Sequence, residues 1–178
     1  MKALRRPLHR LAASWLLICS WPCLLAGQAF ADDISEYGMK AVLFYRLPQF
    51  IYWPSGEPEP KPMALCIVGK NPFGNAISQL KQGNDNIDLR ISPADISSCN
   101  LLFISRSENA NLDNWLSRAD SRRMLTVSDI PGFARSGGMI ELPVEGERVG
   151  IVINRRIAMR KGFEFNAQLL RLARVINP

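Results

Sequence analysis

Apolar positions recur at threes and fours over residues 33–53, with Tyr37, Ala41, Phe44 or Tyr45 and Leu47 on one stripe. This spacing predicts a helix, capped by Asp32 or Asp33 and kinked or ended by Pro48. After the proline-rich connector SGEPEPKP the pattern changes: residues 64–69 and 100–105 are unbroken apolar runs of buried-strand type. Between them the chain predicts a helix over 73–82 with Pro72 in its first turn, a short strand over 86–91 and a capped turn over 93–98. SENANLDNWLSRAD then reads as a helix with Leu112, Trp115 and Leu116 turned inward.

The stretch RMLTVSDIPGFARSGGMIELPV organises the rest. Residues 124–127 form a third apolar strand, which Ser128 and Asp129 end with side chains that cap backbone groups. Pro131 and Gly132 suit the two central positions of a type II turn, and Phe133 stands where the strand end is expected to open to solvent. LPVEGERVGIVIN is a hairpin signal, Asn154 caps a helix that Gly162 stops, and FEFNAQLLRLARVI predicts a last helix with Leu169, Leu170, Leu172, Ala173 and Ile176 as its stripe. Strands alternating with helices, then a hairpin, predict an α/β domain: a three-layer sandwich with a mostly parallel sheet, an antiparallel hairpin at one edge and flanking helices. In such sheets, ligands bind at the carboxyl ends of the strands.

Residues 1–31 have the three parts of an export signal: Lys2, Arg5, Arg6 and Arg10, then an apolar run over 11–25, then Ala29-Phe30-Ala31 as the cleavage site. Cleavage after Ala31 leaves a single domain over 32–178; the rival reading is an uncleaved membrane anchor, interrupted by Pro22 and Gly27. The signal carries four of the 22 basic residues and none of the 16 acidic ones, so the net charge falls from +6 to +2 and no nucleic-acid footprint is indicated. Cys66 and Cys99 are the pair left in the exported part, best read as a disulfide, with two buried thiols as the alternative. The single histidine, His9, lies in the signal. Ser-His-Asp, Cys-His and His-rich zinc chemistry therefore have no imidazole to use, and no catalytic residue, cofactor or metal site is expected. Ser105 and Ser128 read as strand-end caps, and Asp95, Asp129, Glu141 and Glu164 show no metal spacing. The basic group Arg155, Arg156, Arg160 and Lys161 reads as a solvated helix face. Trp53 and Phe133, each beside Pro and Gly breaks, are candidate exposed anchors, with core packing the commoner fate of such rings. Ser105, Ser128 and Trp53 form a candidate small-molecule site.

Five blocks, EYGMKAVLFYRLPQFIYWP, IVGKNPFG, LLFISRSE, LTVSDIPGFARSGGMI and AQLLRLARV, occur in the order and with the spacing of one family. Over nearly the whole chain after the signal, the sequence resembles the YfiR family of exported proteins. The resemblance implies an α/β homodimer in the periplasm, stabilised by a disulfide that Cys66 and Cys99 match. It implies a non-catalytic repressor that binds the periplasmic part of an inner-membrane diguanylate cyclase, lowers cyclic-di-GMP signalling and biofilm formation, and is removed by an outer-membrane peptidoglycan-binding lipoprotein. The implied partner surface comprises the loop and following strand, with Asp129, Pro131, Phe133, Ile140 and Val152. A ligand pocket is implied near Trp53, Glu164 and Asn166. The chain departs from the family pattern where a second disulfide is expected, since Ala134 and Glu141 stand there, so packing and turn chemistry alone are expected to hold the loop. Val152 also stands where an acidic residue is expected, and Glu164 where a basic one is.

Overall fold

The computed structural model describes residues 28–54 and 60–178. The expected export signal lies outside the described residues up to position 27, as does most of the proline-rich connector. Helix α1 (Gln28–Arg46) starts before its expected cap, so Asp32 and Asp33 lie inside it. Ala41, Phe44, Tyr45 and Leu47 are buried, as their spacing predicts. Pro48 cannot donate to the helix ladder; a short 3-10 turn, Leu47–Phe50, takes over and the chain extends into β1 (Ile51–Tyr52).

The chain continues through β2 (Met63–Val68), α2 (Ala76–Lys81), β3 (Ile87–Ile91) and β4 (Leu101–Ile104). A 3-10 turn, Arg106–Asn111, leads into α3 (Leu112–Asp120), β5 (Leu125–Ser128) and β6 (Ile140–Glu141). Then follow β7 (Val144–Glu145), β8 (Arg148–Val149), β9 (Val152–Asn154), α4 (Arg155–Arg160), β10 (Glu164–Phe165), α5 (Ala167–Leu172) and β11 (Arg174–Ile176). Seven strands form one sheet in the order β11-β9-β6-β5-β4-β2-β3. All pairs are parallel except β6–β9, so β9 and β11 run against the rest.

Residues two apart on a strand share a face, and the core divides accordingly. Met63, Leu65 and Ile67 of β2, Leu101 and Phe103 of β4, and Leu125 and Val127 of β5 face a cluster with α1, α2 and α5. Cys66, Val68, Leu102 and Ile104 face a second cluster with Leu112, Ala119 and Phe133. Helices thus cover both faces, which is the three-layer arrangement expected and the reason the strands are apolar throughout. In the first cluster the rings of Phe44, Phe73 and Phe103 meet at centroid distances of 4.7 to 6.0 Å. In the second, Cys66 and Cys99 form a disulfide with a Cα–Cα distance of 5.9 Å, tying β2 to the turn that enters β4.

Several boundaries differ from the pattern reading. The expected last helix is only α5; Ala173 is extended and β11 follows, because the ladder to β9 captures a segment whose apolar spacing also fits a helix. Leu172, expected inside, is 72% exposed. Residues 163–166, also read as helix, instead supply β10, antiparallel to β1, and the α5 cap Asn166, whose Oδ1 accepts from Leu169 N at 2.8 Å. Helix α2 starts at Ala76, after Pro72. The hairpin forms but is split by Pro143 into the β6–β9 and β7–β8 pairs.

Candidate functional site

The carboxyl ends of β4 and β5 carry a cluster of buried and half-buried charged groups. Asp129 follows β5 with its side chain 1% exposed, and the wholly buried Lys40 reaches it from α1, Nζ to Oδ2 at 3.0 Å. The same ammonium meets Glu36 one turn earlier on α1 and lies 4.8 Å from the centroid of the Tyr37 ring. Arg106, just after β4 and 46% exposed, closes the cluster from outside: its Nε lies 3.1 Å from Asp129 Oδ2 and donates to the Asp129 carbonyl at 3.0 Å. Burial pushes the Tyr37 hydroxyl above its ordinary pKa, and the Asp129 charge adds to the rise against an opposing Arg106. Two cations face two anions, so the cluster is neutral in sum and the buried carboxylate is compensated.

Ser128 is held from both sides: Oγ donates to Ile104 O at 2.6 Å and accepts from Ile130 N at 3.0 Å. This is the capping expected of it, and it leaves the hydroxyl in no state to act as a nucleophile. Ser105 accepts from Ser107 N, starting the 3-10 turn. Asp129, expected to cap backbone, forms ion pairs instead.

The loop after Asp129 makes the expected turn, with Phe133 N donating to Ile130 O at 3.1 Å and Gly132 at φ +80°. Phe133 does not open to solvent: it is buried in the second core cluster, and Gly138 is needed because a Cβ there would fall 2.1 Å from the Phe133 ring. The loop is also not held by packing and turn chemistry alone. Glu141, on β6, accepts from Gly132 N and Ala134 N, each at 3.0 Å, and Asn154 Nδ2 donates to Ala134 O at 2.7 Å. Ala134 and Glu141, the two positions where the resemblance implies a second disulfide, are joined here by a carboxylate–amide hydrogen bond.

These contacts sort the expected site residues. Asp129, Phe133, Ile140 and Val152 are buried, with Ile140 and Val152 inside the central sheet, whereas Pro131 and Arg106 are exposed. The ligand candidates fall on two separate parts of the fold. Ser105 and Ser128 belong to the strand ends just described, whereas Trp53, Glu164 and Asn166 flank the β1–β10 ribbon. There the partly buried Trp53 ring meets Phe163 edge-on at 5.5 Å, and its buried Nε1 has no hydrogen-bond partner. Among the described residues no group of carboxylates and thiols is gathered for a metal ion. Lys40, Glu36, Tyr37 and Arg106 were absent from the candidates that spacing alone suggests. A lysine on the inner stripe, between Tyr37 and Phe44, was the available signal.

A family model described as YfiR/HmsC-like matches residues 37–174. No curated protein matches. Among solved structures, the ABC domain in complex with L-Trp from Streptococcus pneumonia is similar at a TM-score of 0.53 and 10% identity, covering 79% of this chain and 60% of that one. A conserved domain protein from Vibrio cholerae O1 biovar eltor is similar at 0.55 and 11%, covering 78% and 59%. The chain thus spans about 60% of the length of these structures, and at such identity the likeness concerns the α/β fold.

Proposed function

From the premise that this chain belongs to the YfiR/HmsC-like family, we propose that it is a non-catalytic periplasmic regulator, exported by residues 1–31. It binds the periplasmic part of an inner-membrane diguanylate cyclase, holds that enzyme inactive and so lowers cyclic-di-GMP signalling and biofilm formation. It acts as a homodimer and is relieved by an outer-membrane peptidoglycan-binding lipoprotein. Repression requires only that the protein bind one state of its target better than the other.

The observation that carries this reading is the charge balance at the strand ends and the bonded state of Ser128. In the place where an α/β enzyme keeps reactive groups, Ser128 is bonded on both sides and the Asp129 charge is compensated by Lys40 and Arg106 at Oδ2, while its buried Oδ1 has no hydrogen-bond partner. What faces outward is the half-exposed Arg106 guanidinium on the Asp129 carbonyl, with exposed Pro131 two residues further along the chain, a contact surface for an acidic partner segment. Deleting the gene is expected to raise cellular cyclic-di-GMP, and a plasmid copy restores it while an Arg106→Glu copy does not. Unchanged cyclic-di-GMP after deletion, with no membrane protein recovered on crosslinking, overturns the proposal.

One observation favours a second reading, a small-molecule sensor. The buried Trp53 Nε1 is a donor without an acceptor, next to the partly exposed β1–β10 ribbon. A ligand carrying an acceptor for that donor raises the melting temperature by mass action, an effect that Trp53→Phe abolishes. A flat thermal-shift screen across amino acids, nucleotides and aromatic acids counts against it.

A further inference from the structure

The strand at the far edge of the sheet from β11 reads Ile87-Asp88-Leu89-Arg90-Ile91, so about Leu89 its apolar positions are symmetric and its two charges are opposite. Apolar residues stand at its ends and centre, with one acid and one base between them. Among the described residues no strand pairs with its outer side. Two hydrogen bonds fix which groups face outward. Met63 N donates to Asn86 O at 2.7 Å and Ser92 N donates to Ile67 O at 2.8 Å, so even-numbered residues face β2. By strand alternation, Ile87, Leu89 and Ile91 turn their N–H and C=O groups to the open edge. By the same alternation Leu89 and Ile91 make no backbone bond to β2, and the Ile87 N–H has a long 3.5 Å contact to Asn84 O.

We infer that β3 is a homodimer interface, pairing antiparallel with β3 of a second copy of this chain about a two-fold axis at Leu89. In that register Leu89 faces the partner's Leu89 and Ile87 faces the partner's Ile91, and these are the positions whose backbone groups point outward. Asp88 and Arg90 then occupy the non-hydrogen-bonded positions, where side chains come closest, and each lies opposite its complement. Within the strand the two already form an ion pair, Arg90 Nη2 to Asp88 Oδ2 at 2.7 Å, and Arg90 also reaches Ser98. The pairing converts that couple into a closed square of alternating charge. Like charges here would protect the edge against self-association; this one carries opposite charges two residues apart. Ile91, 43% exposed at the strand end, is covered in the pairing. The isologous contact continues the seven-stranded sheet across both subunits. This interface deepens the homodimer element of the reading above and is independent of the cyclase and its inhibition.

The test is the mass of the purified protein by equilibrium sedimentation across a dilution series at low salt. Wild type is expected to be a dimer, and Arg90→Asp, which sets acid against acid twice, is expected to weaken it by roughly tenfold or more. The double swap Asp88→Arg with Arg90→Asp restores complementarity and is expected to restore the dimer. Leu89→Pro removes an outward N–H while leaving the β2 ladder intact, and is expected to give a folded monomer; if it does not fold, the charge series alone decides. A monomeric wild type overturns both this interface and the homodimer. A dimer that Arg90→Asp leaves intact overturns the interface only, whereas cyclic-di-GMP measurements bear on repression alone.

Discussion

Lys40 sits with no solvent exposure between an apolar stripe and the carboxyl end of the sheet, and its place there rests on Asp129, 89 positions later. Replacing it with methionine keeps the packing volume but leaves the Asp129 carboxylate with Arg106 alone. A loss on the order of 3 kcal/mol is expected in a urea unfolding series, because breaking a buried pair costs more than the pair contributes over an apolar substitute. The lysine's inward position was legible from its spacing against Tyr37, Ala41 and Phe44, but its partner was not, since no local rule connects helix α1 to the end of β5. Tyr37 gives a pH signature. Its folded pKa lies above the ordinary 10.0, chiefly through burial, so its neutral form stabilises the fold fully below pH 10.0 and that contribution disappears as pH rises through the folded value. Thermal melts on the alkaline side of that pH are expected to fall more steeply for wild type than for Tyr37→Phe, which has no hydroxyl to ionise. Equal slopes would disprove the linkage.

At the scale of elements, the loop between β5 and β6 shows what sequence reasoning reaches. Its turn type followed from Pro131 and Gly132, since only a residue free to take positive φ fits the third position. Its fixing did not follow, because Glu141 read as one more loop carboxylate until the hairpin folded back and set both its oxygens against Gly132 N and Ala134 N. Glu141→Gln leaves one of these amides facing an NH2 group, with an expected cost of about 1 to 3 kcal/mol. Hydrogen exchange at Gly132 and Ala134 is the direct measure, and unchanged protection would show that the carboxylate is not the tether. β11 was hidden for a different reason. A three-residue strand has no pattern of its own, and its parallel ladder to β9 is a tertiary fact that overrides a helical spacing. The buried strands β2, β4 and β5 were legible because a strand covered on both faces must be apolar throughout.

Over the whole molecule, two cores on opposite faces of one sheet carry different ties. The layer order was legible from strand–helix alternation, whereas the reversal at β6–β9 was signalled only by its hairpin. The disulfide lies in the core that packs α3 and closes a loop 33 residues long, which in the chain-entropy model contributes about 3 to 4 kcal/mol. Reduction is expected to lower the melting temperature clearly; identical melts with and without reductant would show the bond to be energetically idle. The tether of the β5–β6 loop is a carboxylate on two amides. Among the described residues, electron donors therefore have only the Cys66–Cys99 bond to cut and none in the loop that carries Pro131. A cell that varies its thiol balance changes how firmly this chain is folded without unfastening the loop between β5 and β6.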